Sequence, residues 1–238
     1  VTAGAIGLLS PGPDAPIIVT NGDVLTDLDT SSLVAFHRQS GGLATIAMQT
    51  VENPSRYGVI STSDTGQVMD FVEKPALGTE PSNNINAGTY VMEPGVLEGI
   101  PTNTVVSVER ETFPQLATNG ELYAMKADSY WLDTGTPEQF LEANIDALRS
   151  SSTLETDNAM NCSVSDTAHV VESILGRGSE LQAGVSVNSS VLFSQCIIER
   201  DASVTRSILA DNVRVGEGAI LEDCVVAANE VIPKNAHL

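Results

Sequence analysis

Short apolar runs alternate with segments of helical periodicity over the first 150 residues, which is the order typical of α/β domains. The run Ile17 to Val19 predicts a strand buried on both faces, as in a parallel sheet, and Ala44 to Thr50 predicts the next strand. Between them, Thr30 to Gln39 predicts a helix capped by Thr30 or Ser31. The other predicted elements are a hairpin of Val59 to Ser61 with Val68 to Val72, a strand Thr89 to Met92, a helical turn Pro94 to Gly99, and helices Glu109 to Ala117 and Pro137 to Arg149.

The pattern changes after a polar stretch that begins at Ser151. From about Val164, apolar residues recur every five to seven positions, a spacing too long for a helix face and typical of the hexapeptide repeats of a parallel β-helix. We therefore predict an α/β domain at 1–150, a linker at 151–162 and a β-helix at 163–238. A small antiparallel β-domain is the alternative for the last segment. The residues expected to point inward are Val164, Val170, Leu175, Leu181, Val187, Val191, Ile197, Val204, Leu209, Val215, Ile220 and Val225.

Composition narrows the range of partners. The formal net charge of -20 repels nucleic acid and anionic membrane surfaces, so we expect neither as a partner. No apolar stretch is long enough to span a bilayer and the first residues lack the order of a signal peptide, so we expect a soluble, cytoplasmic protein. The three cysteines, Cys162, Cys196 and Cys224, are widely spaced, which argues against disulfides or zinc and for small buried apolar residues.

Two aspartates stand where an apolar run meets a glycine-bearing turn. Asp23 follows Asn21-Gly22 and Asp133 precedes Thr134-Gly135, so each carboxylate would lie beside backbone that a ligand can approach closely. Magnesium binds through one or two carboxylates plus substrate phosphates, so this pair predicts a magnesium site for a nucleotide or a sugar phosphate. Asn21-Gly22 is also a strong hairpin signal, and on that alternative Asp23 is only a turn residue.

Two further motifs carry polar groups suited to a sugar phosphate. In Phe71-Val72-Glu73-Lys74-Pro75, Glu73 could accept bonds from sugar hydroxyls while Lys74 holds a phosphate. Neighbouring strand residues point to opposite faces, so both reach one pocket only if Pro75 distorts the strand end; an exposed ion pair is the alternative. Asn86, followed by Gly88, precedes a short predicted strand, and its amide could both donate to and accept from hydroxyls unless it is only a turn residue.

Taken in order, the motifs of this chain resemble the sugar-1-phosphate nucleotidylyltransferases, or NDP-sugar pyrophosphorylases. The resemblance covers about residues 1–150, and the region that follows looks like the left-handed β-helix that many members carry. Within the family, Ser107-Val108-Glu109-Arg110-Glu111-Thr112-Phe113-Pro114 looks most like the mannose-1-phosphate guanylyltransferases. The family motifs are matched by Thr2-Ala3-Gly4-Ala5, Asn21-Gly22-Asp23, Arg56-Tyr57-Gly58-Val59, Phe71-Val72-Glu73-Lys74-Pro75, Asn86-Ala87-Gly88-Thr89-Tyr90 and Trp131-Leu132-Asp133-Thr134-Gly135-Thr136-Pro137.

The resemblance implies a Rossmann-like domain that joins a nucleoside triphosphate, here GTP, to a sugar 1-phosphate, here mannose 1-phosphate, with release of pyrophosphate. It implies that Asp23 and Asp133 bind Mg²⁺ and that Lys74 neutralises the charge of the attacking phosphate. The flat coil faces of a β-helix allow subunits to stack, so we expect a homo-oligomer. The implied substrate-binding residues are Thr2, Ala3 and Gly4 beside the base, together with Asn21, Gly22, Gly58, Glu73, Asn86 and Gly88.

The glycine-rich loop with which the family cradles the triphosphate does not occur in these 238 residues. We therefore expect an N-terminally incomplete nucleotidyltransferase domain and little transferase activity from this polypeptide, because the donor would lose its main cradle. Other interpretations are thymidylyl, uridylyl or adenylyl transfer to glucose 1-phosphate, and a non-catalytic regulatory or binding subunit. A third is acyl transfer by the β-helix through a histidine such as His169.

Overall fold

The computed structural model describes residues 15–98, 100, 106–150 and 161–238. The chain divides between Trp131 and Leu132 into two compact units. Most of the predicted linker falls outside the described residues, so the predicted domain limits stay predictions. Over the ranges described, no helix is long and apolar enough to cross a membrane.

A six-stranded mixed sheet organises the first unit. The strands of this unit are β1 (Ile17–Thr20), β2 (Val24–Thr26), β3 (Ala44–Thr50), β4 (Gly58–Thr62), β5 (Val68–Glu73), β6 (Asn84–Met92) and β7 (Leu122–Lys126). A further strand, β8 (Trp131–Asp133), begins at Trp131, the last residue of the first unit. The sheet order is β5-β4-β6-β3-β7, and β1 also pairs with β6. β3 and β7 run parallel and the other strand pairs described in this sheet are antiparallel, which confirms a mixed Rossmann-like sheet.

Strand β1 differs from its prediction. It pairs antiparallel with β6, and its burial alternates, with Ile18 49% exposed. Ile17 and Val19 pack against the core, whereas the described residues leave the other face uncovered. The prediction of a strand buried on both faces within a parallel sheet is therefore wrong. β1 and β2 pair with different strands, so the Asn21-Gly22 turn does not close a hairpin between them.

Strand β6 is longer than predicted and contains a bulge. It begins at Asn84, so Asn86 lies inside the strand rather than before it. The pairing register with β3 shifts between Ile46 and Met48, and Gly88 in the facing stretch has φ 77°. A left-handed glycine is a common way to accommodate extra residues in a strand. The bulge interrupts the alternation of side chains along β6. The sequence pattern therefore predicts only the second half of the strand.

The helices of the first unit are short, and the first is capped one residue earlier than predicted. The Asp29 carboxylate accepts hydrogen bonds from the Ser31 N–H at 2.9 Å and the Ser32 hydroxyl at 2.5 Å, which lower its pKa. Asp29, not Thr30 or Ser31, has the extended backbone of a cap, so that prediction is wrong. The helices are α1 (Thr30–Ser40), α2 (Pro94–Glu98) and α3 (Phe113–Thr118), with a 3₁₀ turn Pro54–Arg56 and a π-helical turn Val108–Thr112.

The core of the first unit is built around three aromatic rings. The Phe113 ring lies 5.0 Å from that of Tyr90 and 5.4 Å from that of Phe71, measured between centroids. Phe113 and Tyr90 are fully buried and Phe71 nearly so. Such tilted aromatic contacts add about 0.5–1.5 kcal/mol each beyond burial. They join α3 to β5 and β6, the two strands that carry most of the predicted sugar-phosphate residues.

The second unit contains a long helix, α4 (Pro137–Ser150), and a parallel β-helix. Two sheets of four strands and one of five form its sides, and all their pairs are parallel, which excludes the antiparallel alternative. The strands are β9 (Ser163–Val164), β10 (His169–Val171), β11 (Ile174–Leu175), β12 (Glu180–Leu181), β13 (Ser186–Asn188), β14 (Val191–Leu192), β15 (Ile197–Ile198), β16 (Ser203–Thr205), β17 (Ile208–Leu209), β18 (Arg214–Val215), β19 (Ile220–Glu222), β20 (Val225–Val226) and β21 (Val231–Ile232).

Each coil of the β-helix is 17 residues long. Leu181 pairs with Ile198 and Ile198 with Val215, and the other two sides repeat at the same interval. The positions of one coil therefore stack on those of the next. Side chains at Leu181, Ile198 and Val215 are essentially inaccessible and form part of a continuous interior column.

Several residues predicted to point inward do not. Ile220 is 41% and Val225 62% exposed, and the following residues, Leu221 and Val226, are buried instead. Likewise Ile198 rather than Ile197, and Leu192 rather than Val191, belongs to the interior cluster. In each case two apolar residues are adjacent, and only the register with the neighbouring coils decides which one faces inward. Val164 and Val170 in the first coil are also exposed. Cys196 is buried as predicted, with the pKa of its thiol raised to about 11 by burial, while Cys162 and Cys224 are only half-buried.

Candidate functional site

The Glu73 carboxylate lies against the backbone of Gly58. The two residues face each other in the β4–β5 pair. A side chain at Gly58 would place its Cβ 2.9 Å from Glu73 Oε2 and 2.8 Å from the Phe71 ring. A Cβ at these distances would force the Glu73 carboxylate and the Phe71 ring to shift, so glycine at this position leaves the carboxylate room beside the strand.

Lys74 leaves strand β5 through a left-handed backbone conformation. Its φ is 49°, rare for a residue with a side chain, and its N–H donates to the Tyr57 carbonyl at 3.0 Å. Such a conformation costs about 1–3 kcal/mol. The strand therefore ends in a sharp turn at Lys74, before Pro75, so the strict alternation of faces does not apply to Glu73 and Lys74. The Lys74 charge acts on Glu73 and lowers the pKa of that carboxyl.

Sequence analysis missed two charged groups near Glu73. Burial raises the pKa of the Glu73 carboxyl, the Glu109 charge raises it further, and the cations Lys74 and Arg110 oppose the rise. Glu109 and Arg110 belong to the π-helical turn, a geometry found often at functional sites. The sequence predicts only a helix from Glu109 to Ala117 and the family resemblance from this stretch, because nothing local shows that the turn approaches β5.

Asn86, Gly88 and Asn21 form one hydrogen-bonded network. Asn86 Oδ1 accepts from the Gly88 N–H at 2.9 Å, its Nδ2 donates to the Tyr90 hydroxyl at 2.9 Å, and the Asn21 N–H donates to the Gly88 carbonyl at 2.8 Å. The amide is therefore held in one orientation by the bulge. Among the described residues its second N–H and second lone pair have no partner, so both can bond a ligand or water.

Buried Tyr90 links this network to three carboxylates. Burial raises the pKa of its phenol well above the ordinary range, and the charges of Glu109, Glu73 and Asp23 raise it further. The Tyr90 hydroxyl therefore stays protonated at any working pH. The charges of Glu109, Glu73 and Asp23 thus all reach the Tyr90 phenol.

The remaining predicted residues are placed as follows. Asp133 ends β8 in the second unit, and the Gly135 N–H donates to its Oδ1 at 2.9 Å. Gly22 is exposed with open space on its Cα, so the structure shows no close approach that needs glycine there. Thr2, Ala3 and Gly4 lie outside the described residues. The neighbouring Trp131 is fixed by an indole N–H bond to the Ala87 carbonyl at 2.8 Å and an edge contact with Tyr57.

The oxygen donors fit a magnesium ion better than a metal enclosed by protein. In the described ranges, no cluster of three or more His, Cys, Asp or Glu side chains could hold a metal. Magnesium needs no such cluster, since it keeps water and takes one or two carboxylates plus phosphate oxygens. Asp23 is exposed, and the Gly135 N–H orients the Asp133 carboxylate by donating to its Oδ1.

Comparison with known families matches both parts of the chain. Residues 2–150 match the family model described as nucleotidyl transferase, and residues 158–238 match the GlmU-like C-terminal hexapeptide family. The second match agrees with the stacked coils and identifies a left-handed β-helix with hexapeptide repeats.

Individual relatives point the same way. Mannose-1-phosphate guanylyltransferase 1 of Arabidopsis thaliana is 33% identical over 97% of this chain and 68% of its own length. A probable mannose-1-phosphate guanylyltransferase 2 of the same plant is 36% identical over the same shares. The mannose-1-phosphate guanylyltransferase catalytic subunit beta of Drosophila pseudoobscura pseudoobscura is 43% identical over 59% of this chain and 38% of its own length. Members of this family typically use a divalent metal. The chain belongs to the nucleotidyl transferase family.

Proposed function

We propose that this protein transfers a guanylyl group from GTP to mannose 1-phosphate, giving GDP-mannose and pyrophosphate. The observation that carries the proposal is that relatives named mannose-1-phosphate guanylyltransferase match over 97% of the chain at 32–36% identity. The hydrogen bond from Asn86 to Tyr90, and the charges of Glu73 and Asp23 that raise the pKa of the same phenol, support it.

Glu73 and Asn86 recognise the sugar in this proposal. The half-buried carboxylate accepts hydrogen bonds from ring hydroxyls, and a charged acceptor out of bulk water makes the stronger kind of hydrogen bond. Asn86 adds one N–H and one lone pair in a fixed direction, because Gly88 and Tyr90 already hold its amide. Asn21, bonded to the Gly88 backbone, lies beside it.

The chemical step is an in-line displacement. A phosphate oxygen of the sugar 1-phosphate attacks the α-phosphorus of GTP, a new P–O bond forms, and the bond to the β-phosphate oxygen breaks, so that pyrophosphate leaves with the electron pair. Lys74 binds the attacking phosphate and offsets its repulsion from the triphosphate. Asp23 and Asp133 would hold Mg²⁺, which when bound supplies positive charge to the phosphoryl oxygens.

The proposal extends to partners and location. We place the protein in the cytoplasm as a homo-oligomer built through its β-helix, with no nucleic acid or membrane partner. The net charge of -20 supports the last point.

The test is calorimetric titration of the 238-residue chain with mannose 1-phosphate and glucose 1-phosphate in magnesium, with mannose as the control that lacks a phosphate. We expect mannose 1-phosphate to bind more tightly than glucose 1-phosphate, and mannose far more weakly than either. Preference for glucose 1-phosphate would favour the glucose-specific alternative. Absence of binding by every sugar phosphate would contradict the proposal.

A further inference from the structure

Asp133 belongs to the same compact unit as the β-helix. The unit begins at Leu132, and only three residues separate Asp133 from the first residue of α4, Pro137. Within that short connection the Gly135 N–H donates to Asp133 Oδ1 at 2.9 Å, and Thr136 Oγ1 accepts from the Gln139 N–H at 3.3 Å. The carboxylate is therefore tied to the first turn of α4, and a shift of that helix moves it.

Helix α4 faces the outer side of the sheet that contains β14, β17 and β20. Outward positions on this side repeat every coil as Val191, Ile208 and Val225. Val191 is 2% and Ile208 9% exposed, although they point away from the interior of the β-helix, whereas Val225 in the last of these coils is 62% exposed. A cavity has Leu141 and Ile145 of α4 on one wall and Ile208 on the other.

Two side-chain contacts fasten the helix to this face. The Phe140 ring meets the Phe193 ring edge-on, with centroids 6.2 Å apart and an interplanar angle of 87°. At the other end, Arg149 donates to Glu172 Oε1 from Nε at 3.0 Å and from Nη2 at 2.8 Å. The cavity, of about 470 Å³, extends along α4 from Pro137 to Arg149, so packing between the helix and this face is incomplete and the two side-chain contacts carry more of the attachment.

We infer that Phe193 and Glu172 of the β-helix are positioning residues for Asp133, acting through α4. They do not touch substrate. They hold the helix whose first turn orients the carboxylate, and so the β-helix takes part in building the metal site. This inference rests on the proposed function, because the role of Asp133 as a magnesium ligand is part of that proposal.

The test is amide hydrogen exchange of the full chain, read on a peptide that spans residues 132–143, together with Mn²⁺ affinity by electron paramagnetic resonance. For Phe193→Ala we expect exchange in that peptide to rise about tenfold and Mn²⁺ to bind about threefold to tenfold more weakly, the size expected for losing one aromatic contact. Glu172→Gln should act in the same direction but less, because an exposed ion pair is weak.

Matched controls come from the same β-helix. Glu199→Gln disturbs another ion pair, with Arg214, and Val231→Ala removes an exposed apolar side chain that is 65% accessible; neither residue lines the cavity along α4. Both should leave the 132–143 peptide and the Mn²⁺ affinity unchanged. The double variant Arg149→Glu with Glu172→Arg exchanges the two charges and keeps the ion pair. It should restore much of the protection from hydrogen exchange that Glu172→Gln loses.

The inference is overturned if Phe193→Ala leaves local exchange and Mn²⁺ affinity as in the parent, or if the controls change them equally. Should Phe193→Ala fail to fold, Phe193→Leu keeps an apolar side chain there, and the same two readings decide the question. Hydrogen exchange is measured without substrate, so its result does not depend on sugar binding. A failure to bind sugar phosphates would contradict the proposed function and not this inference.

Discussion

Glu73, which we propose binds the sugar, lowers the stability of the fold that holds it. Partial burial and the nearby Glu109 charge raise the pKa of its carboxyl, so the folded state holds this proton more tightly than the unfolded state does. The folded state is therefore destabilised when Glu73 is ionised. This unfavourable contribution to stability grows as the pH rises through and above 4.5, the ordinary pKa of a glutamate.

Replacing Glu73 with glutamine is therefore expected to separate binding from stability. Binding of mannose 1-phosphate should weaken by roughly tenfold to a hundredfold, because a charge-assisted hydrogen bond is lost. The thermal midpoint should rise at pH 7, and this gain should disappear when the carboxyl of the parent is protonated below about pH 4. Asp70→Asn, on the exposed side of the same strand, is the control and should change neither. A midpoint gain that persists at low pH would contradict this account.

Gly88 is the residue on which the bulge depends. Alanine at this position would hold φ near 77° and place Cβ 2.9 Å from Asn21 Nδ2, so we expect Gly88→Ala to lose about 1–3 kcal/mol of unfolding free energy. Gly95→Ala is the matched control, since a Cβ there meets nothing within 4 Å and lies in a helix, where alanine should be neutral or stabilising. Chemical denaturation measures both, and equal effects would argue against a strained bulge.

Among the elements, the coils of the β-helix provide the sharpest check on register. Val225 and Val226 are adjacent and chemically identical, yet they are 62% and 7% exposed. We expect Val226→Ala to lower the unfolding free energy by about 1–3 kcal/mol and Val225→Ala by less than about 0.5 kcal/mol. Denaturant unfolding of the two variants decides the register. The opposite order would restore the assignment in which Val225 points inward.

Local patterns predicted elements well where burial and periodicity agree, as in β3, whose limits of Ala44 and Thr50 match the prediction, and in the hairpin of β4 and β5. They failed where contacts distant in sequence decide. The bulge at Gly88 depends on the register against β3, and the choice between Ile197 and Ile198 depends on the coils above and below. Tyr90 looked like an ordinary strand residue because the carboxylates around it come from three other segments.

In the whole molecule, the proposed metal ligands belong to different compact units, Asp23 to the first and Asp133 to the second. Motif order along the chain was enough to predict the family and both folds. The described contacts fix the orientation of Asp133, and its role as a metal ligand stays a prediction. What the sequence could not indicate is that Asp133 is coupled to α4 and the β-helix, since that depends on pairs such as Phe140 with Phe193.

The most direct test of the central claim is titration of GDP-mannose into the 238-residue chain by calorimetry, in magnesium and again in EDTA. The parent chain should bind in magnesium and lose at least about tenfold in affinity in EDTA, the equivalent of about 1.4 kcal/mol. Asp133→Asn in magnesium should show a similar loss, while Asp64→Asn, in an exposed turn, should bind as the parent does. Binding that is equally strong in EDTA, or no binding under either condition, would contradict the account.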